Sequence, residues 1–169
     1  DSLDLIEAVA KRWAAHPYDV IRSAIPPRVA SVEREDFPQS LVDRIPIKPK
    51  RMYLHIPPVA NRFQFIADSV NRETHTGSKL IIVPDSRSVG QLALLFPDAI
   101  VLDSELNRTD RYRNFLLSRT KTDITVIGTR SAVFAPIEDL SSIFVVDEGS
   151  ANHYELRSPG WNVRDVAII

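Results

Sequence analysis

Five short apolar runs, separated by helix-length segments, constrain this chain more than any other feature. The runs are 52-MYLHI-56, 79-KLIIVP-84, 99-AIVLD-103, 124-ITVIG-128 and 143-IFVVDE-148. Such uniformly apolar runs are typical of strands buried on both faces, because a half-exposed strand alternates apolar and polar side chains. The segments between the runs predict helices near residues 60–74, 87–96 and 108–118. The sequence therefore predicts a doubly wound α/β lobe with a parallel sheet.

The residues that precede this lobe follow a different pattern. Apolar side chains at helical spacing over residues 2–15 predict one helix, and Pro17 begins a second helix that Pro26 ends. The sequence is then polar and contains several prolines up to residue 50, which is typical of a linker. The predicted organisation is a helical segment at 1–28, a linker at 29–50 and the lobe at 51–169.

Composition narrows the classes of function. The net charge is -1 and the pI is about 6.5, so any contact with nucleic acid has to be local. There is no cysteine and the four histidines are scattered, so no metal site is predicted in this segment. No apolar run approaches the roughly 20 residues of a membrane span. We expect a cytoplasmic protein that does not enter a membrane.

Two consecutive acids end the last apolar run. In parallel α/β sheets ligands bind beyond the carboxyl ends of the strands, and Asp147 and Glu148 lie at such an end. In nucleotide hydrolases an acid in this position holds Mg²⁺ through water, and the next acid orients the attacking water. The alternative is a polar turn, since acids followed by glycine are common in turns.

A second group of polar residues follows the run 124-ITVIG-128. The hydroxyls of Thr129 and Ser131 and the guanidinium of Arg130 form a compact group of the kind that binds a DNA phosphate. The alternative is an arginine that is solvated or bonded locally. The basic residues of the linker are a further candidate patch for the DNA backbone, with a solvated linker as the alternative; they are Arg44, Lys48, Lys50 and Arg51.

These segments together resemble a known family. The stretches GTRSAVFAPIEDLSSIFVVDE and RSPGWNVRDVAII resemble the first motor lobe of the primosomal replication-restart helicases of the PriA family. Upstream, LIIVPDSRSVGQL is similar to that family's VPE strand and following helix. The resemblance covers roughly residues 79–169. The winged-helix domain that the family carries before this lobe is replaced by the short linker at 29–50, which is similar to actinobacterial members.

The resemblance implies a RecA-like, P-loop-type helicase lobe that binds ATP and Mg²⁺. Residues 1–28 resemble the end of the family's domain for DNA 3′ ends. Implied partners are replication forks, single-stranded DNA and other primosome and replication proteins, in replication restart and DNA repair. The family's zinc module is expected only in a C-terminal part outside this segment.

The sequence departs from the family at the phosphate loop. A working motor carries G-x-T-G-S-G-K-T after its first strand, whereas this chain reads 54-LHIPPVANRFQF-65. The missing glycines and lysine are the groups that hold the phosphates. Asn61 and Arg62 are the remaining candidates for binding nucleotide. The family's DEEH is DEGS here, so Asp147 and Glu148 are a degenerate pair.

Three readings stay open at this point. The first is a replication-restart protein that binds fork or single-stranded DNA without ATPase or helicase activity. The second is an active ATP-dependent 3′–5′ DNA helicase with a divergent loop. The third is a lobe that serves as a platform for protein interactions.

Overall fold

A parallel sheet forms the centre of the protein. The computed structural model describes residues 2–37, 49–58 and 61–169. Within these ranges four strands pair in parallel in the order β2-β3-β1-β4. They are β1 (Ser78–Ile82), β2 (Ile100–Leu102), β3 (Thr125–Gly128) and β4 (Leu140–Val145). The predicted α/β class and parallel sheet are confirmed.

Helices flank the sheet, and side chains cap the first turns of α2 to α6. They are α1 (Ser2–Arg12), α2 (Pro17–Ala24), α3 (Arg62–Asn71), α4 (Ser86–Ala93), α5 (Arg108–Thr120) and α6 (Val163–Ala167). The side chains of Asn61, Asp85 and Asn107 each accept a hydrogen bond from the backbone N–H three residues later. Each cap satisfies an amide that has no partner inside its helix, which explains where α3, α4 and α5 begin.

Two apolar layers cover the two faces of the sheet. One layer joins α3 and α4 to the sheet through residues such as Ile66 and Leu92. The other joins α1, α2, α5 and α6, with Trp161 fully buried and its ring edge-on to Phe134 at 5.0 Å. Helices on both faces are what a doubly wound lobe requires.

The first predicted strand, 52–56, is wrong. Residues 49–58 contain no strand, and Met52, Tyr53 and Leu54 are 67%, 78% and 48% exposed. A strand needs a neighbour for its backbone groups, and prolines that lack an amide donor stand on both sides of this run. An apolar run alone is therefore not sufficient to predict a strand.

The core extends into the predicted N-terminal segment. Ile6, Val9 and Val20 are buried in the same layer as the strands β1 and β3. The indole Nε1 of Trp161 donates to Ser23 Oγ at 3.2 Å, which links the C-terminal segment to α2. The helices α1 and α2 thus pack on the lobe, while their assignment to a DNA-binding domain stays a prediction.

The first part of the predicted linker is held on α5 by an ion pair and a side-chain hydrogen bond. Arg28 donates two hydrogen bonds to Glu33, at 2.7 and 2.9 Å, and Tyr112 Oη donates to the same carboxylate at 2.7 Å. Arg113 makes a bidentate contact with Glu35 at 2.7 and 2.8 Å. Hydrogen bonds from Arg28 and Tyr112 lower the pKa of Glu33 to about 2. We call residues 28–35 and α5 together the latch.

Among the residues described above, no helix is both long enough and apolar enough to cross a membrane.

Candidate functional site

The carboxyl ends of the strands are bonded to one another. Asp103, only 5% exposed after β2, accepts a hydrogen bond from Ser86 Oγ at 2.9 Å, and Ser86 begins α4 after β1. Next to it, Gly128 at the end of β3 lies so close to Leu102 that an added Cβ would stand 2.5 Å from the Leu102 carbonyl oxygen. The predicted ligand-binding edge is therefore closely packed at the ends of β2 and β3.

The turn after β4 holds its first acid in an unusual backbone conformation. Asp147 has φ 51°, in the left-handed region, which aspartate tolerates better than most residues. Its carbonyl accepts from Ser150 N at 2.8 Å. His153, fully buried, donates from Nε2 to the Val146 carbonyl at 2.8 Å, so this ring supports the backbone just before the acid. Strained residues of this kind often lie at functional sites.

Asp147 is paired with an arginine. Arg62 Nη2 lies 2.7 Å from Asp147 Oδ2, although the two residues are 85 apart in sequence. Arg62 is the first residue of α3, and its guanidinium also lies 5.0 Å from the Phe63 ring. The structure thus brings together two of the predicted residues. Asn61 is used differently, because its side chain caps α3 by accepting from Gln64 N.

Glu148 is also paired. Arg164 Nη1, from α6, lies 3.0 Å from Glu148 Oε2, and this hydrogen bond raises the pKa of Arg164. Both acids of the turn therefore face a guanidinium. Arg164 lies in the stretch RSPGWNVRDVAII but was not predicted as a site residue, because its contact with Glu148 depends on where α6 packs.

An open cleft lies beside the first of these pairs. Its volume is about 380 Å³. The lining residues are Arg62, Phe63, Asp85, Arg87, Ser88, Gln91 and Asp147. The backbone N–H of Ser88, bonded to the Asp85 carboxylate at 2.8 Å, lowers the pKa of Asp85. The cleft thus presents two guanidinium groups, which suit an anion, and two carboxylates, which suit a cation.

The segment that replaces the phosphate loop precedes α3 in the sequence, and Arg62, the first residue of α3, lines this cleft. Pro57 and Pro58 have no amide hydrogen, and Val59 and Ala60 lie outside the described residues. Two backbone donors that a phosphate loop uses are therefore missing from the described part. The stretch 76-TGSK-79 resembles the end of a phosphate loop, but it runs into β1, which begins at Ser78, rather than into a helix.

The second predicted group is divided by its contacts. Arg130 is turned toward residues 152–155: Nη1 donates to the Tyr154 carbonyl and, at 3.4 Å, to that of Asn152, and Nη2 pairs with Glu155 at 3.2 Å. The hydroxyls of Thr129 and Ser131 form no hydrogen bond within the described residues. The three residues are adjacent as predicted, but the cation is engaged inside the protein.

The remaining predicted residues contribute less. Lys50 and Arg51 are exposed, and Arg44 and Lys48 lie outside the described residues. In the described ranges there is no group of three histidine or acidic side chains placed to hold a metal ion. The structure adds two residues that sequence reasoning missed, His153 and Arg164, both of which contact the DEGS turn.

Comparison with known proteins identifies relatives of this chain. No protein-family model matches the chain. It is 32% identical over 196 aligned positions to the probable replication restart protein PriA of Mycobacterium tuberculosis, an alignment that covers 98% of this chain and 30% of that relative. The corresponding protein of Mycobacterium leprae is 30% identical over 200 positions, with the same coverage.

A more distant relative matches a shorter part. Replication restart protein PriA of Bacillus subtilis is 27% identical over 94 positions, which cover 53% of this chain and 12% of that protein. The chain spans about 30% of the length of the mycobacterial relatives. With the parallel sheet and the DEGS turn described above, this similarity over nearly the whole chain shows that it belongs to the family of PriA replication restart proteins.

Proposed function

We propose that the chain is part of a cytoplasmic replication-restart protein that binds fork or single-stranded DNA and other primosome proteins without hydrolysing ATP. The observation that carries the second half of this proposal is the pairing of both acids of the DEGS turn. Asp147 lies 2.7 Å from Arg62, and Glu148 lies 3.0 Å from Arg164. The guanidinium groups contact the oxygens that a magnesium ion and a catalytic water require.

The chemistry of phosphoryl transfer explains why this arrangement disfavours hydrolysis. Catalysis depends on donors and a cation aimed at charge that develops on the phosphate, and each missing donor costs on the order of 10²–10³ in rate. Here Pro57 and Pro58 provide no amide donors, and the family's lysine is absent. Arg62 is directed to a protein carboxylate rather than held free for a phosphate. ATP and Mg²⁺, expected from the resemblance, are therefore not proposed as working cofactors.

The proposed DNA binding depends on local groups. The net charge of -1 provides no general attraction to a polyanion. The hydroxyls of Thr129 and Ser131, which have no hydrogen bond to any described residue, lie at the carboxyl edge of the sheet, where parallel α/β proteins bind ligands. The names of the relatives support the same role, since they are replication restart proteins.

Calorimetric titration of the full-length protein with a nonhydrolysable ATP analogue and Mg²⁺ tests this proposal. We expect no binding in the micromolar range, and no phosphate release from ATP with or without fork DNA. The Asp147→Ala variant serves as the matched control. Micromolar binding by the unmodified protein that this variant abolishes would contradict the proposal.

A second function is favoured by one observation, the cleft of about 380 Å³ beside Arg62 and Asp147. This volume falls within the range of small-molecule sites. An active 3′–5′ helicase with a divergent loop would bind phosphates there, with Arg62 released from Asp147 toward the nucleotide. DNA-stimulated phosphate release that Arg62→Ala abolishes would establish this second function in place of the first.

A further inference from the structure

One half-buried arginine of the described residues lacks a partner. Four arginines in these ranges have intermediate exposure. Arg62 pairs with Asp147, Arg113 with Glu35 and Asp110, and Arg130 with Glu155. Arg111 makes no ion pair or side-chain hydrogen bond with any described residue. Arg111 is therefore the half-buried arginine in these ranges whose guanidinium no described protein group engages, which leaves it available to a ligand.

The surroundings of Arg111 suit an anion. Arg111 lies on α5 and lines a small cavity beside Leu102, the last residue of β2. The cavity contains no acidic side chain, and its other polar side chain is that of Ser131. The lining residues are Ala24, Pro26, Leu102, Arg111, Phe115, Ser131, Ala132 and Ala135.

The size of this cavity limits what it takes. Its volume is about 10 Å³, which is room for about one water molecule. A single anionic oxygen fits, whereas a nucleotide base or sugar stays outside. A guanidinium beside a hydroxyl is a common arrangement for a backbone phosphate of nucleic acid. The position beyond the ends of β2 and β3 lies at the edge of the sheet where ligands bind.

We propose that Arg111 and Ser131 bind a phosphodiester group of DNA, and that Arg111 takes the part that the sequence assigns to Arg130. This inference rests on the proposed DNA binding of the protein. Arg130 is held by the carbonyls of residues 152 and 154 and by Glu155, so it shapes the loop instead.

Fluorescence anisotropy with labelled fork DNA and single-stranded DNA, at 50 to 200 mM salt, tests the assignment in the full-length protein. Arg111→Gln is expected to lower affinity about tenfold at 50 mM salt, and to make the slope of log affinity against log salt shallower by about 0.7–0.9, as for one lost phosphate contact. The matched control is Arg119→Gln on the same helix, 65% exposed and 3.8 Å from Glu138, which is expected to keep wild-type affinity.

A second variant tests the same site if Arg111→Gln alters folding. Ser131→Ala removes only the hydroxyl, and we expect it to weaken DNA binding in the same direction with an unchanged melting temperature. Wild-type affinity and salt slope in both variants, with binding lost in Arg130→Gln, would overturn the assignment while leaving the proposed function intact. No binding of either DNA by the unmodified protein would overturn the proposed function and this inference with it.

A further titration distinguishes a phosphate of DNA from free inorganic phosphate as the ligand. Inorganic phosphate alone is expected to leave the melting temperature unchanged, because a single contact without a polymer is weak. Stabilisation by inorganic phosphate that Arg111→Gln removes, with DNA affinity unaffected, would identify a free-phosphate site and reject the DNA contact.

Discussion

At the scale of single residues, Gly128 shows how closely the strand ends approach. An added Cβ would lie 2.5 Å from both the Leu102 carbonyl oxygen and the Ala132 Cβ. Because neither atom belongs to a flexible side-chain end, we expect Gly128→Ala to lower the free energy of unfolding by about 1–3 kcal/mol or more. Urea denaturation followed by circular dichroism measures this loss.

Gly90 is the matched control for that substitution. It lies within α4, and an added Cβ there would meet no atom within 4 Å. Gly90→Ala should raise the free energy of unfolding by roughly 0.5–1 kcal/mol, because alanine is the better helix former. Equal effects of the two substitutions would show that the close approach at Gly128 does not affect the free energy of unfolding.

The pairing of Asp147 and Glu148 with arginines could not be predicted from single residues in the sequence. Sequence reasoning selected Asp147, Glu148 and Arg62, and the structure places all three around one turn. Sequence reasoning could not show that Arg62 contacts Asp147, because the two residues are 85 apart and only the fold brings them together. Arg130 illustrates the reverse case, since a residue type suited to phosphate is engaged by neighbouring carbonyls.

At the scale of elements, the latch makes stability depend on pH. Arg28 and Tyr112 lower the pKa of Glu33 from 4.5 to about 2. A group whose pKa is lower in the folded than in the unfolded state stabilises the fold above the unfolded value and loses this effect as the pH falls through the folded value. The contribution of Glu33 is therefore complete above about pH 5 and disappears between pH 4.5 and 2.

We expect Glu33→Gln to lower the urea midpoint at pH 7 and to approach the unmodified protein as the pH falls through this window. Glu105→Gln is the control, because Glu105 is exposed and its side chain has no partner in the described part of the chain. A difference between Glu33→Gln and the unmodified protein that is constant from pH 7 to pH 2.5 would show that the carboxylate charge is not the cause.

The elements differ in how well their patterns predicted them. The runs that became β1, β2, β3 and β4 each acquired a neighbouring strand, and capping residues mark the starts of α3, α4 and α5. The run 52–56 is also largely apolar, but it has no partner strand among the described residues. Hydrogen bonding between strands is not visible in a local apolar pattern.

At the scale of the whole molecule, the N-terminal helices and the sheet share one apolar layer. Ile6 of α1 is 2% exposed and belongs to the layer that contains Leu80 and Trp161. We expect Ile6→Ala to lower the free energy of unfolding of the entire lobe by about 2–5 kcal/mol, because it leaves a cavity in a shared core. Trp161 fluorescence in a Trp13→Phe background reports this unfolding.

Tyr18→Ala is the control on the neighbouring helix, since Tyr18 is 60% exposed, and it should change stability by no more than about 0.5 kcal/mol. A Trp161 transition that Ile6→Ala does not shift would mean that α1 unfolds separately from the sheet. One cooperative transition, displaced as a whole, is the expected result.

The sequence by itself determined the α/β class, the four paired strands, the helices between them and the family. These follow from local periodicity, capping residues and short motifs, which act over a few neighbouring residues. The tertiary structure alone decided that α1 and α2 join the core, that the run 52–56 stays outside the sheet, and which arginine faces which acid. Those outcomes depend on contacts between residues far apart in the chain. An arginine such as Arg111 becomes a candidate for binding only when its neighbours in space are known.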